Sequence, residues 1–351
     1  MNSLNQVNQT RQSFPFGANI DSWLHEGGTR EEQMRDYFYN LFNCAITGND
    51  MKWPVMETVE NEVQFDVVDK SLEALRQHNI TDIKGQCLVW GKESKLTEWI
   101  QNKTADEIKA AIIRRVKYMT SHYKGQFVQW DVNNENLHHR WFEEKTGNPY
   151  ITDELFNLTH SLDPTATLFV NDFNLVRNGV YTSAMEQQIR AYQKRGVPVG
   201  GIGIQSHLSD LQDADLTWFR LDRLAELGLP LWISELDDKH TNLEQRAEIY
   251  EKGLTLYYSH PAVKGIVFCN IDLYLVNEQV QVCESAGKVV RRLLRDEWRT
   301  EEVTSFSGPT NHQLKGFHGT YEAIVKDGDQ VLKRVVFELV KGEDANIEIQ
   351  L

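Results

Sequence analysis

Short apolar runs with β character recur along the chain, each followed by a longer segment whose apolar residues repeat at helical spacing. The strand-like runs are 14–20, 43–49, 83–90, 127–133, 166–171, 201–206, 229–234 and 265–271. Helical patterns follow at about 30–42, 66–78, 104–123, 151–161, 181–195, 215–227, 243–259 and 285–298. Parallel strands need crossover connections, and regular alternation supplies one after every strand, so the fold class is α/β. A doubly wound open sheet commonly uses about five or six strands, whereas eight strand–helix pairs predict a closed (β/α)8 TIM barrel. Local punctuation agrees. Thr104 and Glu107 have capping-box spacing at the start of the third helix, and Asn79 and Gly228 sit where helices stop.

The pattern changes near residue 300. Gly308-Pro309 interrupts a polar stretch, and two β-like runs, 318–325 and 331–339, flank the turn sequence Lys326-Asp327-Gly328-Asp329. The expected organisation is therefore a linker or tail of an upstream module over 1–13 and a (β/α)8 barrel over 14–300. A C-terminal β-hairpin extension packed on the barrel would cover 301–351, with 345–351 as a third strand.

Charge and cysteine usage narrow the partners. The 351-residue chain carries 37 Lys and Arg against 51 Asp and Glu, a net charge of −14, which argues against nucleic acid. No apolar run is long enough to span a membrane. The four cysteines include no Cys-x-x-Cys pair, and His138-His139 lacks the spacing of a helical metal pair, so no metal is expected. Cys269 and Cys283 leave a disulfide open. Gly200-Gly201-Ile202-Gly203 precedes a strand rather than opening a helix, so it is no dinucleotide fingerprint, and no cofactor is expected.

In a barrel of this type chemistry collects at the C-terminal ends of the strands. Polar residues gather there: Asn49, Asp50 and Lys52, Gln86, Asn133 to Glu135, Asn171 and Asp172, Gln205 to His207, Glu235, and Asn270 with Asp272. Such residues are depleted in strands, and solvent contact accounts poorly for so many. Glu135 and Glu235 end the fourth and seventh strands, on opposite sides of the barrel mouth. Two carboxylates flanking one bond can divide glycosidic cleavage, one donating a proton and the other attacking the anomeric carbon. A structural network with Lys52 or His207 is the alternative reading. Trp53, Trp90 and Trp141 lie near strand ends, where indole faces would suit pyranose rings; each would otherwise be ordinary packing.

These residues carry a resemblance. Trp130-Asp131-Val132-Asn133-Asn134-Glu135 is similar to the acid/base motif of glycoside hydrolase family 10, the retaining endo-β-1,4-xylanases, and Trp232-Ile233-Ser234-Glu235-Leu236-Asp237 to its nucleophile motif. Gly48-Asn49-Asp50-Met51-Lys52-Trp53, Gly85-Gln86-Cys87-Leu88-Val89-Trp90, Gly203-Ile204-Gln205-Ser206-His207 and Gly316-Phe317-His318-Gly319-Thr320-Tyr321 match further segments in order. The likeness runs from about Phe14 to Tyr321 and is strongest to plant- and animal-type members. It implies that Glu135 is the acid/base and Glu235 the nucleophile, with His207 orienting Glu235. Asn134 would contact the sugar 2-hydroxyl, and Asn49, Lys52, Gln86, Trp90 and Gln205 would line the glycone side. Lys52 and His207 would together help keep Glu235 ionised.

The chain departs from the family pattern at three places. Gln86 stands where the family has His, Cys269 where it has a Trp covering the sugar, and Asp272 where it has a second aromatic. These lie in substrate contacts rather than at the glutamates. Two alternatives to a xylanase therefore stay open: the same machinery on another β-glycan or glycoside, and a catalytically impaired carbohydrate-binding pseudoenzyme. The resemblance further implies a secreted, extracellular protein, although Met-Asn-Ser-Leu-Asn-Gln at the start has no apolar signal region. It would act as a monomer on a polysaccharide or oligosaccharide.

Overall fold

The computed structural model describes residues 3–210, 213–275, 285–306, 311–328 and 330–350. They form two compact units, Phe16–Gly287 and a second made of Met1–Pro15 with Lys288–Leu351. The second unit holds β1 (Ser3–Gln12), β11 (Glu301–Phe306), β12 (Gly319–Asp327) and β13 (Gln330–Leu339). The larger holds β2 (Phe16–Ile20), β3 (Cys44–Thr47), β4 (Asp82–Gly85), β5 (Val89–Trp90), β6 (Gln129–Asn134), β7 (Thr167–Phe173), β8 (Gly201–Leu208), β9 (Leu231–Asp238) and β10 (Val263–Phe268).

In the larger unit β2, β3, β4, β6, β7, β8, β9 and β10 pair in parallel, and β10 returns to β2, closing an eight-stranded barrel. The third barrel strand is interrupted. After β4 the chain leaves the ladder at Gln86 and re-enters it as the two-residue β5, beside β6. Barrel strands are covered on both faces, and β9 is accordingly buried from end to end. The interior is packed by bulky side chains set against glycines. A Cβ on Gly85 would lie 2.5 Å from the Trp130 ring, and one on Gly265 equally close to Trp232. The same interior holds a buried ion pair, Lys84 to Asp131 at 3.0 Å. Burial pushes Asp131 up to about 6, and the Lys84 charge opposes that rise.

The helices follow the apolar spacing. Asp66–Gln77 buries Val68, Leu72 and Leu75, and Ala105–His122 buries Ile108, Ile112, Val116 and Met119. Thr104 and Glu107 form the expected reciprocal cap. Asn79 and Gly228 both adopt positive φ, 58° and 74°, as residues that stop helices do. Arg115, fully buried on the second of these helices, donates to the carbonyls of Leu88 (3.0 Å) and Met51 (2.7 Å). It thereby fixes both the break before Trp90 and the turn that carries Lys52. Among the described residues, no helix is long and apolar enough to cross a membrane.

The second unit differs from expectation. Residues 1–13 are not a linker: β1 is an inner strand of an antiparallel sheet ordered β11-β1-β12-β13. The hairpin β12–β13 forms as expected, but 345–350 is not a strand. The third and fourth strands of that sheet come from β1 and β11. The barrel, expected over 14–300, is a unit ending at Gly287. The segment expected as its last helix divides into an α-helical turn, Ala286–Arg291, and a π-helical one, Arg292–Glu297.

Candidate active site

Glu135 follows the carboxyl end of β6 and Glu235 lies in the carboxyl-terminal half of β9, each next to irregular ladder. Between β6 and β7 the pairing shifts between Asp131 and Asn134, just before Glu135. Between β8 and β9 it shifts at Ser234, the residue before Glu235. An extra residue in one strand bends it and re-aims the next side chain. Glu135 also has φ 55°, a left-handed backbone that costs a non-glycine residue about 1–3 kcal/mol and persists only where its surroundings over-determine it. They do so here. Its N–H donates to the Asn171 carbonyl at 2.8 Å, and its own carbonyl accepts from His138 and His139 at 3.0 and 2.8 Å.

One unbroken chain of amides joins the carboxylates. Gln205 Nε2 donates to Glu135 Oε1 at 3.1 Å and lies 3.4 Å from Asn134 Oδ1. Asn171 Nδ2 donates to that same Asn134 oxygen at 2.9 Å and to Glu235 Oε1 at 3.0 Å. Ser234 Oγ in turn donates to Asn171 Oδ1, which fixes the Asn171 amide orientation. Gln86 Nε2 reaches Glu235 Oε1 at 3.4 Å, so the Gln that replaces the family's His remains a donor to the second carboxylate.

The two carboxylates are set differently. Glu135 is buried, and that burial raises its carboxyl above the ordinary range; the Gln205 hydrogen bond opposes this, while the charge of Glu235 adds to it. Trp90 Nε1 donates to its Oε2 at 3.0 Å, and His139 Nε2 stands 3.3 Å from the same oxygen. Glu235 Oε2 faces a cation: His207 Nε2 is 3.5 Å away, and His207 Nδ1 bonds Asp237 Oδ1 at 2.8 Å. Asp237 is fully buried, and its second oxygen accepts from Asn270 Nδ2 at 2.9 Å. Burial opposes charge on His207, but its bonds to Asp237 and Glu235 and their negative charges prevail and raise it to about 10. One member of the site is thus set to hold a proton, and the other faces an imidazolium.

A pH prediction follows. His207 rises in the folded state from 6.5 to about 10, so the stability of this pairing is complete below about pH 6.5 and disappears as pH climbs through about 10. Melting temperature should therefore fall between about pH 7 and 10 in the native protein, and His207→Asn should flatten that decline. Equal slopes in both proteins would show that His207 is neutral.

Of the residues singled out from sequence, Gln86, Trp90, Asn134, Glu135, Gln205, His207 and Glu235 are brought together. Asn49 and Lys52 form a neighbouring pair, with Lys52 Nζ donating to Asn49 Oδ1 at 2.7 Å and lying 5.4 Å from the Trp90 ring centre. The charge facing Glu235 across an ion-pair contact is His207, not Lys52. Trp53 and Trp141 are 4% and 7% exposed, and Trp53 donates its indole N–H to Glu57 at 2.8 Å, so both act as packing. Trp90 is the half-buried one. Asp272 forms a loose ion pair with Arg30 at 3.6 Å. Cys283 lies outside the described residues, as does 276–284, which follows Asp272.

Sequence reasoning missed the positioning roles of Asn171, Asp237 and Asn270. A signal existed for one of them: Asp237 lies two residues beyond Glu235, and in a strand residues i and i+2 share a face. In the β8–β9 ladder Gln205 stands opposite Glu235 and His207 opposite Asp237. It also missed the role of Asp172, which accepts from the Leu137 N–H at 2.8 Å and bonds His138 Nδ1, while His138 stacks on Phe173. Burial raises Asp172 to about 7. No metal-binding group of His, Cys, Asp and Glu occurs among the described residues.

Comparison with known proteins adds three findings. The model of glycosyl hydrolase family 10 matches residues 3–273. Endo-1,4-beta-xylanase 1 of Arabidopsis thaliana is 33% identical over 341 residues, covering 93% of this chain and 35% of that protein; endo-1,4-beta-xylanase 3 of the same plant is 32% identical, covering 95% and 45%. The chain thus spans less than half the length of these relatives. Among solved structures, xylanase 10B of Thermotoga petrophila RKU-1 in complex with xylobiose superposes with a TM-score of 0.71 at 25% identity, over 81% of this chain and 94% of that one.

Proposed function

This chain belongs to glycosyl hydrolase family 10, and from that membership we propose that it is a retaining endo-β-1,4-xylanase. The observation that carries the reading is the opposed setting of two glutamates at one barrel mouth, Glu135 raised by burial and Glu235 beside the His207 imidazolium. In the first step Glu235 attacks the anomeric carbon while Glu135 passes its proton to the departing glycosidic oxygen. In the second, Glu135, now ionised, takes a proton from water, which attacks the glycosyl–Glu235 ester and frees the carboxylate. Asn134, held by Asn171 and Gln205, is placed to meet the sugar 2-hydroxyl, where bonding strengthens in the transition state. Asn49, Lys52, Gln86 and Trp90 would line the glycone side.

The relatives' names support xylan as the substrate, and the structural neighbour's xylobiose supports an oligoxyloside at this mouth. We place the protein's action outside the cell, as a monomer, where polymeric xylan is met. The test is reducing-sugar release from xylans, mixed-linkage glucan and cello-oligosaccharides. Cleavage of xylan above the others supports the reading. Cleavage confined to another glycan would transfer it there and make Gln86, Cys269 and Asp272 the specificity residues. Binding without cleavage of any would make the chain a carbohydrate-binding pseudoenzyme.

A further inference from the structure

Trp90 is ringed by lysines. Lys52 Nζ lies 5.4 Å from its ring centre, Lys92 Nζ 5.5 Å and Lys95 Nζ 6.0 Å. Lys52 follows the turn after β3; the other two lie just beyond β5, Lys95 in the short 3-10 turn Glu93–Lys95. Gly91 lets that segment lie close to the loop after β6, since a Cβ there would stand 2.9 Å from the His139 carbonyl oxygen. Lys52, Trp90 and Lys95 line one cleft together with Trp53, Cys87 and Leu96.

None of the three ammonium groups has a carboxylate within ion-pair distance among the described residues, and Lys52 donates only to the neutral Asn49 amide. Two acidic groups feel these charges without pairing to them: Glu135 feels Lys92 but accepts from Trp90 and Gln205, and Asp21 feels Lys52 but accepts from the Asn49 and Asp50 N–H groups. Glu93 is exposed on the turn that carries Lys95. A chain with 51 acidic residues against 37 basic ones has ample means to neutralise such a cluster and does not. Three like charges around one ring repel one another, and the indole offsets that only modestly. An anion would complete the arrangement. Lysine binds anions as a point charge, without the fork geometry that selects planar groups, so it accepts a carboxylate or a sulfate alike.

We propose that Lys52, Lys92 and Lys95 around Trp90 recognise an anionic substituent on the glycan chain, a uronate carboxylate or a sulfate ester. This names the substrate class of the site described above and rests on the glycanase reading. The cluster favours decorated, acidic xylan over the bare polymer, within reach of Glu135.

The experiment compares kcat/KM on unsubstituted, glucuronate-substituted and sulfated xylan at low and high salt, for the native protein and Lys95→Ala. Lys95 makes no contact with either glutamate. The native protein should prefer an anionic xylan by about fivefold at low salt, and lose the preference at high salt, as exposed charge pairs do. Lys95→Ala should reduce that preference and leave the unsubstituted substrate unchanged. A preference for only one of the two anionic xylans identifies the source of the charge. Equal rates on all three substrates, or a variant that slows all three alike, would overturn the proposal. Should no xylan be cleaved, the glycanase reading fails by itself. The cluster is then judged by calorimetry with a glucuronate-bearing xylo-oligosaccharide. Salt-sensitive binding weakened in Lys95→Ala sustains the cluster, and its absence overturns it.

Discussion

On the proposed mechanism, Glu235→Ala is expected to lower xylan hydrolysis by about 10⁴-fold or more, equivalent to roughly 5 kcal/mol of barrier, because the variant would have no group to form the glycosyl ester. The change leaves the donors of the site in place: Asn171 and Gln86, which address Oε1, and His207, which faces Oε2. They would surround a small gap beside a cation. Azide should fit there, attack the anomeric carbon from the face Glu235 had used, and restore turnover. The Glu135 proton would go to the leaving oxygen, and the product would be a glycosyl azide of inverted configuration. Rescue measured by product chirality separates a lost nucleophile from a misfolded barrel, because an unfolded variant cannot be rescued by an anion. A variant retaining a tenth or more of native activity without azide would remove Glu235 from the chemistry.

Glu135→Ala is expected to lower hydrolysis of xylan by about 10²–10⁴-fold, the usual worth of a positioned general acid. The loss depends on the leaving group. A nitrophenyl glycoside departs without protonation, so its first step should proceed and then stall, giving a burst of nitrophenol as the glycosyl–enzyme accumulates. The pH profile carries a second signature. Burial holds the Glu135 carboxyl above its ordinary 4.5, with Gln205 opposing and Glu235 adding to the rise. With Glu135 as the proposed acid, the alkaline limb of kcat/KM should mark the loss of that proton. It should vanish for the aryl substrate in the variant. Stability moves the other way. A raised carboxyl is stabilising only while protonated, and ionising it as pH rises costs the fold free energy, so the variant should melt higher than the native protein in alkaline buffer. A variant that keeps both the limb and native rates would place the acid elsewhere.

Much of the barrel was legible because its signals are local. The helix expected over 30–42 is Thr29–Leu41, and that expected over 243–259 is Leu243–Ser259. Apolar spacing and helix stops need no knowledge of distant partners. The strand β1 shows the opposite case. Ser3–Gln12 reads as a polar linker, and it becomes a strand only because 301–306 and 319–327, some 300 residues later, supply its hydrogen bonds. Register of that kind is not written in local composition. The break between β4 and β5 escaped for a similar reason, since it depends on Arg115 holding the Leu88 carbonyl from a helix.

At the site, the glutamates were legible because each lies in a distinctive motif toward the carboxyl end of a strand. What holds them was not. Asn171 supports Glu235 from a strand two positions away in the ring, and Asn134 links to it through an amide whose orientation Ser234 sets. The three tryptophans look alike in sequence. Trp53 is drawn inward by Glu57 and packs edge-on to Trp99, whereas Trp90 points its N–H at Glu135 and keeps a half-exposed ring among lysines. A hydrogen-bond partner decides between these roles, and partners are a tertiary property.

The most direct measurement is mass spectrometry of the native protein incubated with a 2-deoxy-2-fluoro xylobioside bearing a good leaving group. Fluorine at the 2-position slows both formation and hydrolysis of the glycosyl ester, and the good leaving group restores formation alone, so the ester accumulates. Intact mass should rise by one fluoroglycosyl unit, and the modified peptide should place it on Glu235. No adduct, together with products of inverted configuration, would contradict the double displacement; an adduct on another residue would contradict the assignment of Glu235.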